Sequence, residues 1–266
     1  MIQLAVSSLT YEGFKDTYYD TLFSNMVEDG YRNVEFNCWY AGSLSPEKIR
    51  YMKQQCTDRG IKPIALHVSG FGGHSSEILT FSTAHKMRAI EAALVLGCNR
   101  VVASAVDDCE SLDEIIRQLE CIEKIACDYQ VYISLENHCR NKLAVSEDYK
   151  YIFDRINSPY FGVCLDGGHL EAAGERIDTF IEKLFSKINH LHLKENSVFG
   201  EKTFCKFGEG TTDNIEMIRS MAKRGYQGYM SVELSPEIGE NGQSVLFQRD
   251  DRVKPVKMFG SLEREK

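Results

Sequence analysis

The sequence has no apolar run near the ~20 residues that a membrane-spanning helix needs, so we expect no membrane partner. It also has no excess of positive charge: 31 Lys and Arg stand against 39 Asp and Glu, which leaves a formal net charge of −8. A protein that mainly binds a nucleic-acid backbone needs a net positive charge or a basic surface. The net negative charge therefore argues against a nucleic-acid partner. Residues 1–6 lack the basic segment of a secretory signal and resemble a strand, which predicts a cytoplasmic protein.

Cysteine pairs are missing as well. Nine cysteines are present, but none forms a CxxC motif or has the spacing of a zinc site. An odd number of cysteines without an export signal is typical of reduced thiols in the cytosol. We therefore interpret the cysteines as small buried hydrophobic residues.

Eight short segments rich in aliphatic and β-branched residues recur along the 266-residue chain. They begin about 32 residues apart, the length that one strand, one helix and two loops require, and they span residues 2–7, 31–36, 62–67, 99–104, 131–136, 160–166, 188–193 and 228–233. Helix signals lie between them: Ser45-Pro46 predicts a helix start, and Gly60, Gly97 and Gly225 predict helix ends. Strands that alternate with helices form a parallel sheet.

These repeats predict an α/β fold, a closed (β/α)8 TIM barrel, as a single domain over residues 1–266. An open doubly wound sheet is the alternative, but no GxGxxG or GxxxxGK(S/T) motif follows any strand. From about residue 237 the chain has scattered Gly and Pro and no amphipathic pattern, which predicts an irregular C-terminal tail. Either a short helix near residues 244–248 covers the barrel edge, or the tail packs on a neighbouring chain in a homo-oligomer.

Ionisable residues stand at the ends of the last four predicted strands, and these are Glu136, Asp166, His192 and Glu233. The second and third strands repeat the arrangement with Val34-Glu35 and Leu66-His67. Active sites of such barrels lie where the strands finish, and three carboxylates there would repel one another unless a cation lay among them. The set therefore predicts one divalent metal ion. Its oxygen-rich ligands favour Mn²⁺ or Mg²⁺, and the single imidazole also admits Co²⁺ or Zn²⁺.

Each candidate residue also has an ordinary structural interpretation. An acidic residue at a strand end often caps a helix or forms a salt bridge, but four ionisable strand ends in succession favour a site. His190 shares a strand face with His192 and is the alternative histidine ligand. His192 lies nearer the carboxyl end of the strand, where the active site of a barrel opens, and is preferred. The remaining histidines outside the strands, His74, His85 and His138, are interpreted as surface or packing residues.

Five short motifs resemble those of the xylose isomerase-like barrel superfamily, which contains sugar isomerases and epimerases, inosose dehydratases, hydroxypyruvate isomerases and endonuclease IV-type repair enzymes. They are SLENH at 134–138, LDGGH at 165–169, HLHLKE at 190–195, GEG at 208–210 and SVE at 231–233. The resemblance implies that the metal ligands are Glu136, Asp166, His192 and Glu233. It also implies that His67 and His169 contact the substrate, and that Glu136 and Glu233 exchange protons with a substrate carbon.

The activity implied by this resemblance is that of a divalent-metal-dependent isomerase or epimerase of a sugar or sugar phosphate. It would act by proton transfer through a metal-bound enediolate, because a C–H beside a polarised carbonyl needs a base on one side and an acid on the other. Glu136 and Glu233 suit these catalytic roles. His169 and Lys194 are candidates to hold hydroxyl groups or a terminal phosphate, although Lys194 is equally suited to a salt bridge.

Three rival functions use the same barrel. A dehydratase of inosose or of a dehydroshikimate-type compound needs the same deprotonation and then expels a hydroxyl group. An abasic-site endonuclease needs more metal-binding histidines, and neither the end of the fourth strand (103–105, ASA) nor residues 195–210 supply one. A non-catalytic sugar-binding barrel would not need all four ligands.

Overall fold

Eight parallel strands close into a barrel in the structure, a computed structural model that describes residues 1–234 and 247–262. In chain order the strands are β1 Ile2–Ser7, β2 Asn33–Cys38, β3 Lys62–Val68, β4 Arg100–Ala103, β5 Tyr132–Glu136, β6 Phe161–Asp166, β7 Ile188–Leu193, β8 Glu195–Asn196, β9 Phe204–Cys205 and β10 Gly228–Val232. The barrel contains β1 to β7 and β10, and β10 pairs with β1 to close it. Strands β8 and β9 form a separate antiparallel hairpin. The predicted (β/α)8 barrel is confirmed.

Helices connect successive barrel strands. They are α1 Leu9–Glu12, α2 Asp20–Asn25, α3 Pro46–Arg59, α4 Ser76–Leu96, α5 Leu112–Tyr129, α6 Ser146–Phe153, α7 Gly167–Ala172, α8 Ile177–Leu184, α9 Asn214–Lys223 and α10 Arg249–Phe259, with 3-10 turns at Ala41–Leu44 and Phe185–Lys187. Helix α3 follows the sequence signals: the Ser45 hydroxyl accepts the Lys48 N–H, Pro46 is the first helical residue, and Gly60 ends the helix in the left-handed conformation. Within the described ranges, no helix has the length and apolar character of a membrane span.

Two groups of apolar side chains fill the molecule. The larger one involves residues from all the barrel strands and from the helices packed around them. A small separate group comes from four strands and consists of Ala5, Ile64, Ala65, Val102 and Cys164. Other inward positions of the barrel are polar and buried, among them Glu35, His190 and Ser231. An apolar shell thus surrounds a partly polar interior that opens at the carboxyl ends of the strands.

The C-terminal part differs from its prediction, because helix α10 lies in the tail that the sequence predicts to be irregular. Its buried residues are Arg252, Pro255 and Phe259, so no stripe of aliphatic side chains reveals it in the sequence. Arg252 Nε donates to Asp29 Oδ2 at 2.7 Å, and the Tyr31 hydroxyl donates to the Arg252 carbonyl at 2.8 Å. The short helix expected near 244–248 falls mostly on residues 235–246, outside the described residues.

Candidate metal centre and active site

The four predicted metal ligands come together at the carboxyl end of the barrel. One ligand atom from each lies within 4.8 Å of the others, and the four residues are Glu136, Asp166, His192 and Glu233. All of them are buried, with at most 4% of any residue exposed. His192 is the member of the histidine pair that joins the three carboxylates, as expected, whereas His190 lies deeper in the barrel.

The side chain of Asn137 links the ends of the two strands that carry Glu136 and Asp166. In the ladder between β6 and β7, Asp166 is in register with His192. Just beyond β5, the Asn137 side chain accepts the Asp166 N–H and donates to the Asp166 carbonyl, both at 2.8 Å, which ties the end of β6 to Glu136. Asp166 Oδ1 also caps α7 by accepting the His169 N–H at 2.8 Å. A carboxylate that ends a strand therefore also positions a histidine one helical turn later.

Several buried oxygens of this cluster have no hydrogen-bond donor among the described residues. They include Asp166 Oδ2 and Glu233 Oε2. Burial raises the pKa of Asp166 to about 6, the nearby charge of Lys194 opposes that rise, and Glu136 and Glu233 add to it. Buried carboxylate oxygens that lack donors carry a large desolvation penalty, which a cation among them removes. The donor set therefore fits a divalent metal ion.

His192 lies among three carboxylates. Its Nδ1 is 2.6 Å from Glu136 Oε1 and 3.6 Å from Glu233 Oε2, so Nδ1 is the nitrogen that faces the candidate ligands. Its Nε2 is 2.9 Å from Glu35 Oε1 on the other side. Burial alone would lower the pKa of His192, but Cys164, Glu35 and Glu136 outweigh burial and raise the pKa well above its ordinary value.

Glu35 has no role in the sequence prediction, yet it is fully buried beneath the ligand cluster. Its Oε2 is 2.7 Å from His190 Nε2 and 3.3 Å from the Ser231 hydroxyl, which leaves Oε1 facing His192. The signal in the sequence is the motif Val34-Glu35, which repeats the aliphatic–ionisable pattern of the other strand ends. Only the closed barrel shows that Glu35 faces His192, and that a carboxylate oxygen of Glu35 lies within 4.8 Å of ligand atoms of His67, His192 and Glu233 in a second group that could hold a cation.

His67 and Lys194, two of the predicted substrate contacts, already contact the carboxylates. His67 Nε2 is 3.3 Å from Glu136 Oε2. Lys194 Nζ pairs with Glu233 Oε1 and lies 3.6 Å from Asp166 Oδ2. Burial would lower the pKa of Lys194, but the three surrounding carboxylates raise it above its ordinary value. Lys194 thus forms a buried ion pair, and it also lines the cavity beside it.

His169, the third predicted substrate contact, stacks on His138, with ring centroids 3.9 Å apart and planes at 34°. Cys139, between them, contacts both rings: its N–H lies 3.3 Å from His169 Nδ1, and its carbonyl lies 3.0 Å from His138 Nδ1. The Phe204 ring of the β8–β9 hairpin meets His169 edge-on at 4.6 Å. The interpretation of His138 as a surface or packing residue is incomplete, because its ring also lines the cavity.

A cavity of 270 Å³ lies over the cluster. One wall is apolar and small residues line another part, while the polar wall consists of His67, Glu136, His138, His169, Lys194 and Glu233. Leu9, Phe14 and Trp39 form the apolar wall, and the Trp39 ring meets His67 edge-on at 5.6 Å. A concave site with one apolar face and convergent polar groups suits a small polar molecule.

Comparison with known proteins identifies the family. The model of the xylose isomerase-like TIM barrel family matches residues 23–250. The chain is 29% identical over 161 residues to 3-oxo-isoapionate decarboxylase of Pectobacterium atrosepticum, covering 59% of this chain and 54% of the relative. It spans about half the length of the curated relatives it matches.

Two solved structures share the fold over nearly the whole chain. A D-tagatose 3-epimerase-like protein is 24% identical, with a TM-score of 0.79 and coverage of 98% of this chain and 97% of its own. The IOLI protein, solved with a bound zinc atom, is 20% identical, with a TM-score of 0.78 and coverage of 99% of both chains. The chain belongs to the xylose isomerase-like TIM barrel family.

Proposed function

We propose that the protein is a divalent-metal-dependent isomerase or epimerase of a sugar or sugar phosphate. The observation that carries this proposal is the convergence of Glu136, Asp166, His192 and Glu233 within 4.8 Å, two of which, Glu136 and Glu233, line the cavity. When bound there, a divalent ion would polarise a substrate carbonyl and stabilise the negative charge that develops when the adjacent carbon loses its proton.

The donor set favours some metals over others. Three carboxylates and one imidazole provide mainly oxygen ligands, which suits Mn²⁺ or Mg²⁺, while the histidine also admits Co²⁺ or Zn²⁺. A solved structure of the same fold carries zinc. We therefore expect one divalent ion per chain and rank Mn²⁺ and Mg²⁺ first.

The two glutamates are the candidate proton carriers. Glu136 ends β5 and Glu233 follows β10, and two barrel strands separate β5 from β10. Their carboxylates can therefore reach a substrate from different sides. One carboxylate takes the proton from the carbon beside the carbonyl, and a proton then returns either to the neighbouring carbon, which gives an isomer, or to the opposite face of the same carbon, which gives an epimer.

Other residues control these carboxylates and hold the substrate. Lys194 pairs with Glu233, and His67 lies 3.3 Å from Glu136 and 3.8 Å from Glu233, so both glutamates have cationic or imidazole neighbours. Both partners line the cavity together with His169. We propose that these three residues bind substrate oxygens and that the Trp39 wall packs against the carbon skeleton.

A deuterium-exchange experiment tests the function. Protein loaded with Mn²⁺ or Mg²⁺ is incubated in D₂O with a panel of ketoses, phosphorylated sugars and inososes. We expect deuterium to enter at a carbon next to the carbonyl without loss of water. A dehydrated product would instead identify the rival dehydratase, loss of CO₂ from a keto acid a decarboxylase, and cleavage at abasic sites in DNA an endonuclease.

The roles of the glutamates are tested by Glu136→Gln and Glu233→Gln. Each change removes a carboxylate that can carry a proton, and we expect deuterium exchange to fall at least a hundredfold, as for loss of a general base. Glu120→Gln, at an exposed position of α5, is the matched control and should keep full exchange. Circular dichroism checks that the variants fold. Deuterium exchange at the wild-type rate in either site variant would show that this glutamate does not carry the proton.

A further inference from the structure

An apolar groove lies beside the cavity, between the loop after β3 and the first half of α4. It has a volume of 500 Å³, and its carbon-rich wall consists of Ala41, Gly72, Ile78, Phe81, Ala84 and Val106. The Phe81 side chain is among the most exposed apolar groups of the described residues, with 75% of the residue accessible to solvent. The proposed proton transfer uses none of these residues, so the groove has no role in it.

The groove and the cavity share a wall. Ser69 and Gly70 line both of them. Gly70 has no side chain, and the Ser69 hydroxyl lies 2.9 Å from His85 Nδ1 on α4. The Lys86 ammonium donates to the Gly70 carbonyl at 2.5 Å and so fixes this part of the loop. A single ligand can therefore extend from the cavity into the groove across two small residues.

The polar side chains along the groove are already engaged by the protein. The Ser82 hydroxyl donates to the Gly70 carbonyl at 3.2 Å. Arg88 donates to the Leu44 carbonyl and to a carboxylate oxygen of Glu91, both at 3.2 Å. A phosphate group would therefore have to compete for Arg88, whereas an apolar group gains free energy by covering the carbon-rich wall.

His85 supplies one further polar atom to the groove. Burial and the neighbouring Lys86 lower the pKa of His85 to about 4, so the ring is neutral near pH 7. Its Nε2 is buried and has no hydrogen-bond partner among the described residues. The groove thus presents one neutral hydrogen-bonding atom within an apolar surface, which suits an aromatic ring or a short alkyl chain better than a second sugar.

We propose that the substrate is a glycoside, with its sugar ring in the cavity and an apolar aglycone, an aryl or alkyl group, in the groove. This substrate class rests on the proposed function. The anomeric carbon of a glycoside carries the aglycone, so the carbonyl that the proton transfer needs must stand at another ring carbon. The substrate is therefore a keto-glycoside, which oxidation of one ring hydroxyl by a dehydrogenase or oxidase supplies. The enzyme then moves only a proton and needs no oxidant.

Fluorine-19 NMR tests the groove without turnover. The probe is 4-fluorophenyl β-D-glucopyranoside, which has no carbonyl and carries fluorine only on its aglycone. We expect Mg²⁺-loaded wild-type protein to broaden the fluorine line. Ala84→Phe places a ring in the groove from an exposed position of α4 and should abolish the broadening, whereas Leu94→Phe, exposed on the same helix outside the groove, should keep it. No broadening by the wild type, or equal broadening by Ala84→Phe, would overturn the proposal.

Turnover tests the substrate class. The deuterium-exchange assay compares phenyl with methyl keto-D-glucopyranosides that carry the carbonyl at C2, C3 or C4. We expect the phenyl glycoside to have a kcat/KM about tenfold higher, mainly through a lower KM, because its ring is buried in the groove. Phe81→Ser should reduce this advantage and leave the methyl glycoside unchanged, and Leu94→Ser is the matched control. Equal kcat/KM values for the two glycosides in the wild type would contradict the proposal.

The possible failures can be told apart. If free ketoses exchange deuterium and the phenyl glycosides have no advantage, the aglycone proposal fails and the proposed function stands. If no sugar or glycoside exchanges deuterium, the proposed function fails, and the fluorine line still decides whether the groove binds an aryl group. A second copy of this chain is the other possible occupant. In that case sedimentation velocity would show a dimer that Phe81→Ser dissociates, and the wild type would not broaden the fluorine line.

Discussion

Glu35 is a fully buried carboxylate beside His192, one of the four predicted metal ligands. Its Oε2 is held by His190 and Ser231, and its Oε1 faces Nε2 of His192. A histidine that ligates a metal through one nitrogen commonly donates its other N–H to a carboxylate, which fixes the ring orientation and raises its basicity. In this structure Glu35 Oε1 and His192 Nε2 lie 2.9 Å apart without hydrogen-bond geometry. We predict that Glu35 takes this positioning role when a metal ion binds at His192 Nδ1.

We predict that Glu35→Gln weakens divalent-metal affinity by about ten- to hundredfold, the usual cost of losing such a partner. The amide keeps the size of the side chain but lacks the negative charge that faces His192 Nε2. Isothermal titration with Mn²⁺ measures the affinity, and Glu120→Gln serves as the control. Unchanged affinity with an intact fold would mean that Glu35 only pairs with His190.

Helix α10 is attached to the barrel by charge as well as by apolar contact. The carboxylate of Asp29 accepts from Arg252 at 2.7 Å, from the Tyr11 hydroxyl at 3.0 Å and from the partly exposed Arg249 at 3.2 Å. Asp29 and Arg252 are both buried. An ion pair in such a place contributes little net stability, but removal of one partner leaves the other charge buried and unpaired.

Asp29→Ala should therefore lower the free energy of unfolding by about 3–5 kcal/mol. Adding Arg252→Met to that variant should restore part of the loss, because no unpaired charge then remains under the helix. Urea unfolding of the wild type, both single variants and the double variant gives the coupling between the two residues. Strictly additive effects would show that the pair does not hold α10 in place.

The stability of the whole molecule should depend on pH through Lys86, which is buried under the loop after β3. Its ammonium donates to the Gly70 carbonyl at 2.5 Å and to the Ser82 hydroxyl at 2.7 Å, and it lies 4.7 Å from the centre of the Phe71 ring. No carboxylate is among these partners. Burial consequently lowers the pKa of Lys86 to about 7.

Between pH 7 and about 10, unfolded chains keep the Lys86 proton and folded chains have lost it, so this group makes stability rise with pH. We predict that the unfolding free energy of the wild type, relative to Lys86→Met, increases from pH 7 to 9.5 by at most about 1.4 kcal/mol per pH unit. Urea titrations at several pH values measure this difference, with exposed Lys124→Met as control. Parallel pH profiles would contradict the lowered pKa.

The periodicity of the sequence was sufficient to predict the barrel architecture. All eight barrel strands lie where the aliphatic segments predict them, and Ser45, Gly60 and Gly97 mark helix ends as expected. These features depend on local chemistry: alternation along a strand, a hydroxyl at a helix start and a glycine that accepts a positive φ. The ligand roles of the four strand-end residues and the single-domain boundary remain predictions.

The sequence by itself determined the order of strands and which ionisable side chains end them, because both depend on residues near one another in the chain. Only the tertiary structure decided that Glu35 lies behind His192, that Cys139 contacts the rings of both His138 and His169, and that Arg252 on α10 pairs with Asp29. Each of these contacts joins groups brought together by barrel closure or loop geometry, and no periodic pattern encodes such distances.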